Sequence, residues 1–156
     1  MKDKKQRLVI NQVDSKISEF SSLSNVEVPG RGWIHTVRTA LKMSLRQFGD
    51  RLGINISSAR DIEQREVDGA ITLKSLRYAA SALNMQLVYG LIPRDGSLEA
   101  MIKNRAEEVA TKIVMRTSHS MALEDQKNSE ERLRNAIKEL ADELRYELPR
   151  SLWDLK

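Results

Sequence analysis

The sequence predicts a mainly α-helical chain carrying one short β-strand, and three observations predict it. Apolar residues recur at helical spacing along most of the 156 residues. Glycine and capping residues divide that pattern into short segments between 29 and 95 and longer ones outside. One segment, Met85-Gln-Leu-Val-Tyr-Gly-Leu-Ile92, departs from helical spacing, carries Val, Tyr and Ile, and stops at Pro93.

The elements follow in order. Residues 3–24 read as an amphipathic helix with Ile10, Val13, Ile17 and Phe20 on one side, giving an N-terminal region 1–28. Val28-Pro-Gly-Arg-Gly32 is a turn-rich linker. A domain over 29–95 begins with a helix at 33–42, burying Ile34, Val37 and Leu41. Leu45, Phe48, Gly49 and Leu52 then share one helical face. Gly53 supplies a turn position open to positive φ. Asn55 is a good N-cap for the next helix, with Ala59 and Ile62 inward. Gly49 is small where that second helix must cross closely. Thr72 caps a further helix at 72–83, with Leu73, Leu76, Ala80 and Leu83 inward. A lone strand at 85–92 needs a partner, and pairing with its copy makes a symmetric homodimer. Residues 96–156 form a C-terminal helical region. Leu98, Met101, Ile102, Val109 and Ile113 mark one helix; Leu133, Ile137, Leu140, Leu144 and Leu148 mark another at nearly heptad spacing, ended by Pro149. These stripes lie outside the short-helix domain and need covering, by a partner protein or by burial inside the homodimer.

Composition narrows the function. Aromatics are 4% and charged residues 31% of the chain, which argues against a large aromatic-lined catalytic pocket. The absence of cysteine excludes disulfides and thiolate chemistry and fits a reducing cytoplasm. No run nears the ~20 apolar residues of a membrane span, so no membrane partner is expected. His35 and His119 stand far apart with no metal-ligand spacing; His35 is placed on an exposed helix face, and His119 in a local hydrogen bond. No glycine-rich phosphate loop and no acid–base carboxylate pair stand out. Neither enzyme activity, nor a metal, nor a cofactor is expected. Residues 1–95 hold 15 Lys/Arg against 10 Asp/Glu, whereas 96–156 hold 11 against 12. The cationic excess thus accompanies the short-helix domain, where phosphate neutralisation would require it.

Short helix, tight turn, second helix is the helix-turn-helix that places one helix in the DNA major groove. In that reading Ser57, Ser58, Arg60, Asp61, Gln64 and Arg65 face the groove. Arg60 suits guanine and Gln64 adenine, and the hydroxyls suit base edges or phosphates. Arg46 and Arg51 are placed for phosphate. A solvated polar face is the alternative for each residue taken singly. Glu63 is expected to pair with Arg38 in a partly buried structural ion pair that reads no base.

Arg38, Ser44, the 45–53 pattern and Ile62-Glu63 resemble Xre/Cro-type helix-turn-helix repressors over about residues 33–90, which implies a five-helix fold. Many members carry glutamine directly after the capping serine. Leu45 stands there in this chain, so base contact from that position is not expected. More widely, Pro29-Gly-Arg-Gly-Trp33-Ile, Tyr89-Gly-Leu-Ile-Pro93 and Ser120-Met-Ala-Leu-Glu-Asp-Gln126 resemble the mobile mystery protein A family over nearly the whole chain. Such proteins are typically encoded beside a Fic-domain protein, so the resemblance implies the antitoxin of a Fic-type toxin–antitoxin pair that also represses its own operon on double-stranded operator DNA. Fic inhibitors resemble one another in Ser/Thr-x-x-x-Glu-Gly/Asn, whose glutamate occupies an arginine that would otherwise bind the ATP γ-phosphate. Ser120 and Glu124 match the first five positions, with Asp125 at the sixth. Ser15 and Glu19 fit the same five, followed by Phe20, and an ordinary cap or i, i+4 pair remains the structural reading of Ser120/Glu124. The other function open to the chain is a stand-alone phage- or plasmid-type repressor with no toxin partner.

Overall fold

A computed structural model of the chain describes residues 2–121 and 130–155. The described residues contain seven α-helices and no strand. None of these helices is long and apolar enough to cross a membrane. The chain divides into two compact units: residues 24–90, and residues 1–23 together with 91–156. The N-terminal helix is therefore no separate region, because it packs with the C-terminal helices.

In the 24–90 unit, α2 (Trp33–Ala40), α3 (Leu45–Leu52), α4 (Ile56–Val67) and α5 (Leu73–Ala82) follow one another closely. The starts of α3, α4 and α5 are written locally. Ser44 Oγ accepts from Gln47 N at 3.1 Å while Gln47 Oε1 accepts from Ser44 N at 2.8 Å, a reciprocal capping box. Asn55 Oδ1 accepts from Ser58 N at 2.7 Å, and Thr72 Oγ1 from Ser75 N at 3.1 Å. Gly53 ends α3 in the left-handed region at φ 69°. Ile34, Phe48, Ala59, Ala79 and Leu83 form the buried core, edged by Val37, Leu45, Leu52, Ile62 and Leu76. Phe48 is fully enclosed, a burial that contributes about 1.5–3 kcal/mol.

Two expected core positions lie outside. Leu41 is 57% exposed because α2 stops at Ala40 and leaves it as the C-cap. Leu73 is exposed and Ala79, not Ala80, is fully buried. The inward stripe of α5 runs through Leu76, Ala79 and Leu83, rotated from the one expected.

The expected strand at 85–92 is likewise not a strand. Met85 N still bonds back to Ala80 O at 2.8 Å, and beyond it Val88, Tyr89 and Leu91 stand exposed. A strand exists only through a ladder with a neighbour, and the described residues offer this segment none.

In the other unit, α1 (Lys2–Ser18), α6 (Leu98–Met121), α7 (Glu130–Glu147) and a 3₁₀ turn at Arg150–Trp153 enclose Ile10, Ile102, Ala106, Ala110, Ala141 and Leu152. Ala106 and Ala110 lie four apart on α6, so a small-residue seam there admits Ala141 of α7. Ile137, Leu140, Leu144 and Leu148 pack against the same core. The stripes of the long helices therefore largely close on each other within the chain, and the expectation that they await a partner is corrected. Asp14 of α1 accepts from Leu98 N at 2.7 Å and Glu99 N at 3.2 Å, capping α6. Arg105 Nε donates to Leu152 O at 2.7 Å, and Arg145 pairs with Glu99.

Candidate nucleic-acid interface

The sharp turn between α3 and α4 depends on Gly49. A Cβ there would stand 2.8 Å from the Ile54 carbonyl oxygen and 3.6 Å from the Ala59 Cβ. With only hydrogen in that place, Ile54 N reaches back to Gly49 O at 2.9 Å, and α4 follows after three residues.

At about 100° per residue, α4 divides into two sides. Ala59, Ile62, Glu63 and Glu66 take one, and the first three pack against or into the unit. Arg60, Gln64, Ser57, Asp61 and Arg65 occupy the opposite arc and are exposed, with Ser58 partly so at its edge. The structure thus brings together six of the sequence-predicted contact residues on one surface. Gln64 Nε2 donates to Asp68 Oδ1 at 3.0 Å along that surface. Arg46 is exposed on the first turn of α3. Arg51 is directed elsewhere: its Nη1 donates to Ala82 O at 3.2 Å, and it borders a cleft with Ile54 and Tyr78 rather than the α4 surface.

The inner side of α4 is fixed by two carboxylates. Glu63 and Arg38 are each only 7% exposed. Arg38 Nε donates to Glu63 Oε1 at 2.5 Å and Nη2 to Oε2 at 3.2 Å, while Nη1 donates to Met43 O at 2.8 Å. This is the expected structural pair. His35 joins it, contrary to the exposed position expected, with Nδ1 3.0 Å from Glu63 Oε2. Burial acts to raise the Glu63 carboxyl pKa; hydrogen bonds from Arg38 and His35, with the charge on Arg38, outweigh it and hold it below the ordinary 4.5.

Sequence reasoning missed Glu66. Its Oε1 accepts from Trp33 N at 2.7 Å and its Oε2 from Ile34 N at 2.9 Å. Gly32, the N-cap of α2, has no side chain to offer and sits at φ 81°. A Cβ on it would lie 2.7 Å from the Glu66 carboxylate. The signal available was the spacing: Glu63 and Glu66 lie three apart, on the otherwise apolar side of α4.

An open cleft of about 440 Å³ lies along α4, bordered by Arg60 and Gln64 on one wall and Gly30 and Arg31 on the other. Glu124 lies outside the described residues, and Ser120 is described only as part of α6. Glu19 is exposed just beyond the end of α1. The chain matches no protein-family model, no curated protein and no solved structure.

Proposed function

We propose that residues 24–90 are a helix-turn-helix DNA-binding unit of the Xre/Cro type, and that the protein is a transcriptional repressor acting in the cytoplasm on operator DNA. The observation that carries this reading is the division of α4. An exposed arc of Ser57, Arg60, Asp61, Gln64 and Arg65 backs onto a side held by Glu63 and Glu66. Reading bases requires donors and acceptors held in fixed register, and an anchored helix supplies that. The unit carries 9 Lys/Arg against 6 Asp/Glu, an excess of three positive charges. The protein acts as a homodimer, the exposed 85–92 segments of two copies pairing as strands. Such a dimer binds a palindrome with half-sites about 34 Å apart.

Selection of duplexes from a randomised pool tests this. Enrichment of a palindrome, with affinity falling steeply as salt rises, is the expected result. Arg60→Ala and Gln64→Ala should each relax preference at one position by about 1–3 kcal/mol. A pool that emerges unenriched would overturn the reading.

The resemblance to mobile mystery protein A extends the proposal: the protein also neutralises a Fic-domain toxin, with Glu124 as the inhibitory glutamate. Growth arrest by the adjacent reading frame, relieved by this chain and not by its Glu124→Ala variant, is the expected outcome. A harmless neighbour would leave the second reading, a stand-alone repressor. That reading is favoured by one observation, the mutual burial of the α6 and α7 stripes within the chain.

A further inference from the structure

We propose that Arg31 is an additional DNA-contact residue that binds a backbone phosphate beside α4, an inference that rests on the DNA-binding reading above. Arg31 lies in the loop before α2, outside both helices of the turn, and borders the same open cleft as Arg60 and Gln64. That shared cleft puts Arg31 beside the surface assigned to bases.

The loop is held rather than free. Gly32 N donates to Pro29 O at 2.8 Å, closing a turn with Gly30 and Arg31 at its centre. Gly32 O accepts from Thr36 Oγ1 at 2.7 Å and from Thr36 N at 3.2 Å. The next two amides are clamped by Glu66 of α4 itself. The backbone carrying Arg31 is therefore tied to the same helix that carries Arg60 and Gln64. If α4 enters a groove, Arg31 travels with it in a fixed relation.

Its charge is uncommitted. Exposed Arg31 has no carboxylate within ion-pair distance among the described residues. The two nearby acids are already engaged, Glu63 by Arg38 and His35 and Glu66 by the α2 amides. Gly30, its neighbour, has nothing within 4 Å of where a Cβ would stand, so a bulky partner can approach the turn. An exposed, unpaired guanidinium on an anchored turn beside a base-reading surface suits a phosphate, which accepts two parallel N–H donors.

The test is fluorescence anisotropy on a labelled mixed-sequence duplex, titrated with the full chain across a salt series from dilute to physiological. Arg31→Ala should weaken binding several-fold on every sequence and reduce the slope of log affinity against log salt by about 1. Arg31→Lys should keep the slope, since the charge remains. Arg134→Ala, an equal change of net charge at a 79%-exposed side chain on α7, should leave it unchanged. A wild-type slope and affinity for Arg31→Ala would overturn the inference, as would an equal loss in Arg134→Ala. A change in the selected sequence would make Arg31 a base reader and overturn the phosphate role. Wild-type protein that binds no duplex at all overturns the DNA-binding reading itself.

Discussion

Replacing Glu66 with alanine removes both acceptors at the start of α2 at once. The Trp33 amide, at an exposed position, regains water; its loss matches an ordinary N-cap deletion, about 0.5–1 kcal/mol. The Ile34 amide is part-buried and loses a charge-assisted bond, which adds about 1.5–2 kcal/mol. Together the 24–90 unit should lose about 2–3 kcal/mol, a large share of the stability of so small a unit. Urea unfolding followed by tryptophan fluorescence reads this directly. The chain has two tryptophans, and a Trp153→Phe background leaves Trp33 as the reporter for this unit. With a slope near 1 kcal/mol per molar urea, the midpoint should fall by about 2–3 M. Glu66→Gln keeps one carbonyl acceptor without the charge, and should fall by about half as much. A midpoint shift below about 0.5 M for the alanine variant, the range of an ordinary surface change, would refute the clamp.

Three further outcomes are expected. Gly49→Ala should destabilise by about 1–3 kcal/mol through the clash with the Ile54 carbonyl, whereas Gly30→Ala, in open space, should change the melting temperature little. Arg38→Met or Glu63→Leu alone should each cost about 3–5 kcal/mol by stranding a buried charge, and the double variant far less than either; equal loss in all three would remove the pair as the cause. Because Glu63 titrates lower in the folded chain, its contribution is fully present above about pH 4.5 and lost as pH falls through its folded value. Wild-type stability should therefore drop on acidification in that range more steeply than that of Glu63→Gln, as measured by urea midpoints at stepped pH.

What the sequence made legible was local. The Asn55 and Thr72 caps and the Gly53 turn each act within a few residues, so spacing alone reveals them. Arg38–Glu63 was legible because two charges on facing helices need each other. Glu66 and Asp14 were not, since the amides they accept from lie 32–33 and 84–85 residues away in sequence. The α5 stripe was misread because Ala79 and Ala80 are equivalent by hydropathy, and only packing selects Ala79 for the interior. Residues 85–92 carry real β-propensity, but propensity does not supply the second strand. His35 was placed outside because a lone polar residue on a short helix carries no sign of a buried carboxylate opposite.

The Asp14 cap on α6 sets an order of events during synthesis. Chains emerge N-terminus first and domains fold as they become complete. Helix α1 leaves the ribosome early, yet the amides that its Asp14 receives belong to Leu98 and Glu99. The 24–90 segment is contiguous and holds its own core, so it closes while α1 still waits. Only when 91–156 arrives can the other unit assemble, because it draws on residues 1–23 and 91–156 together. A nascent chain released early thus carries an intact α4 surface and an α1 whose Ile10 has nothing to bury it.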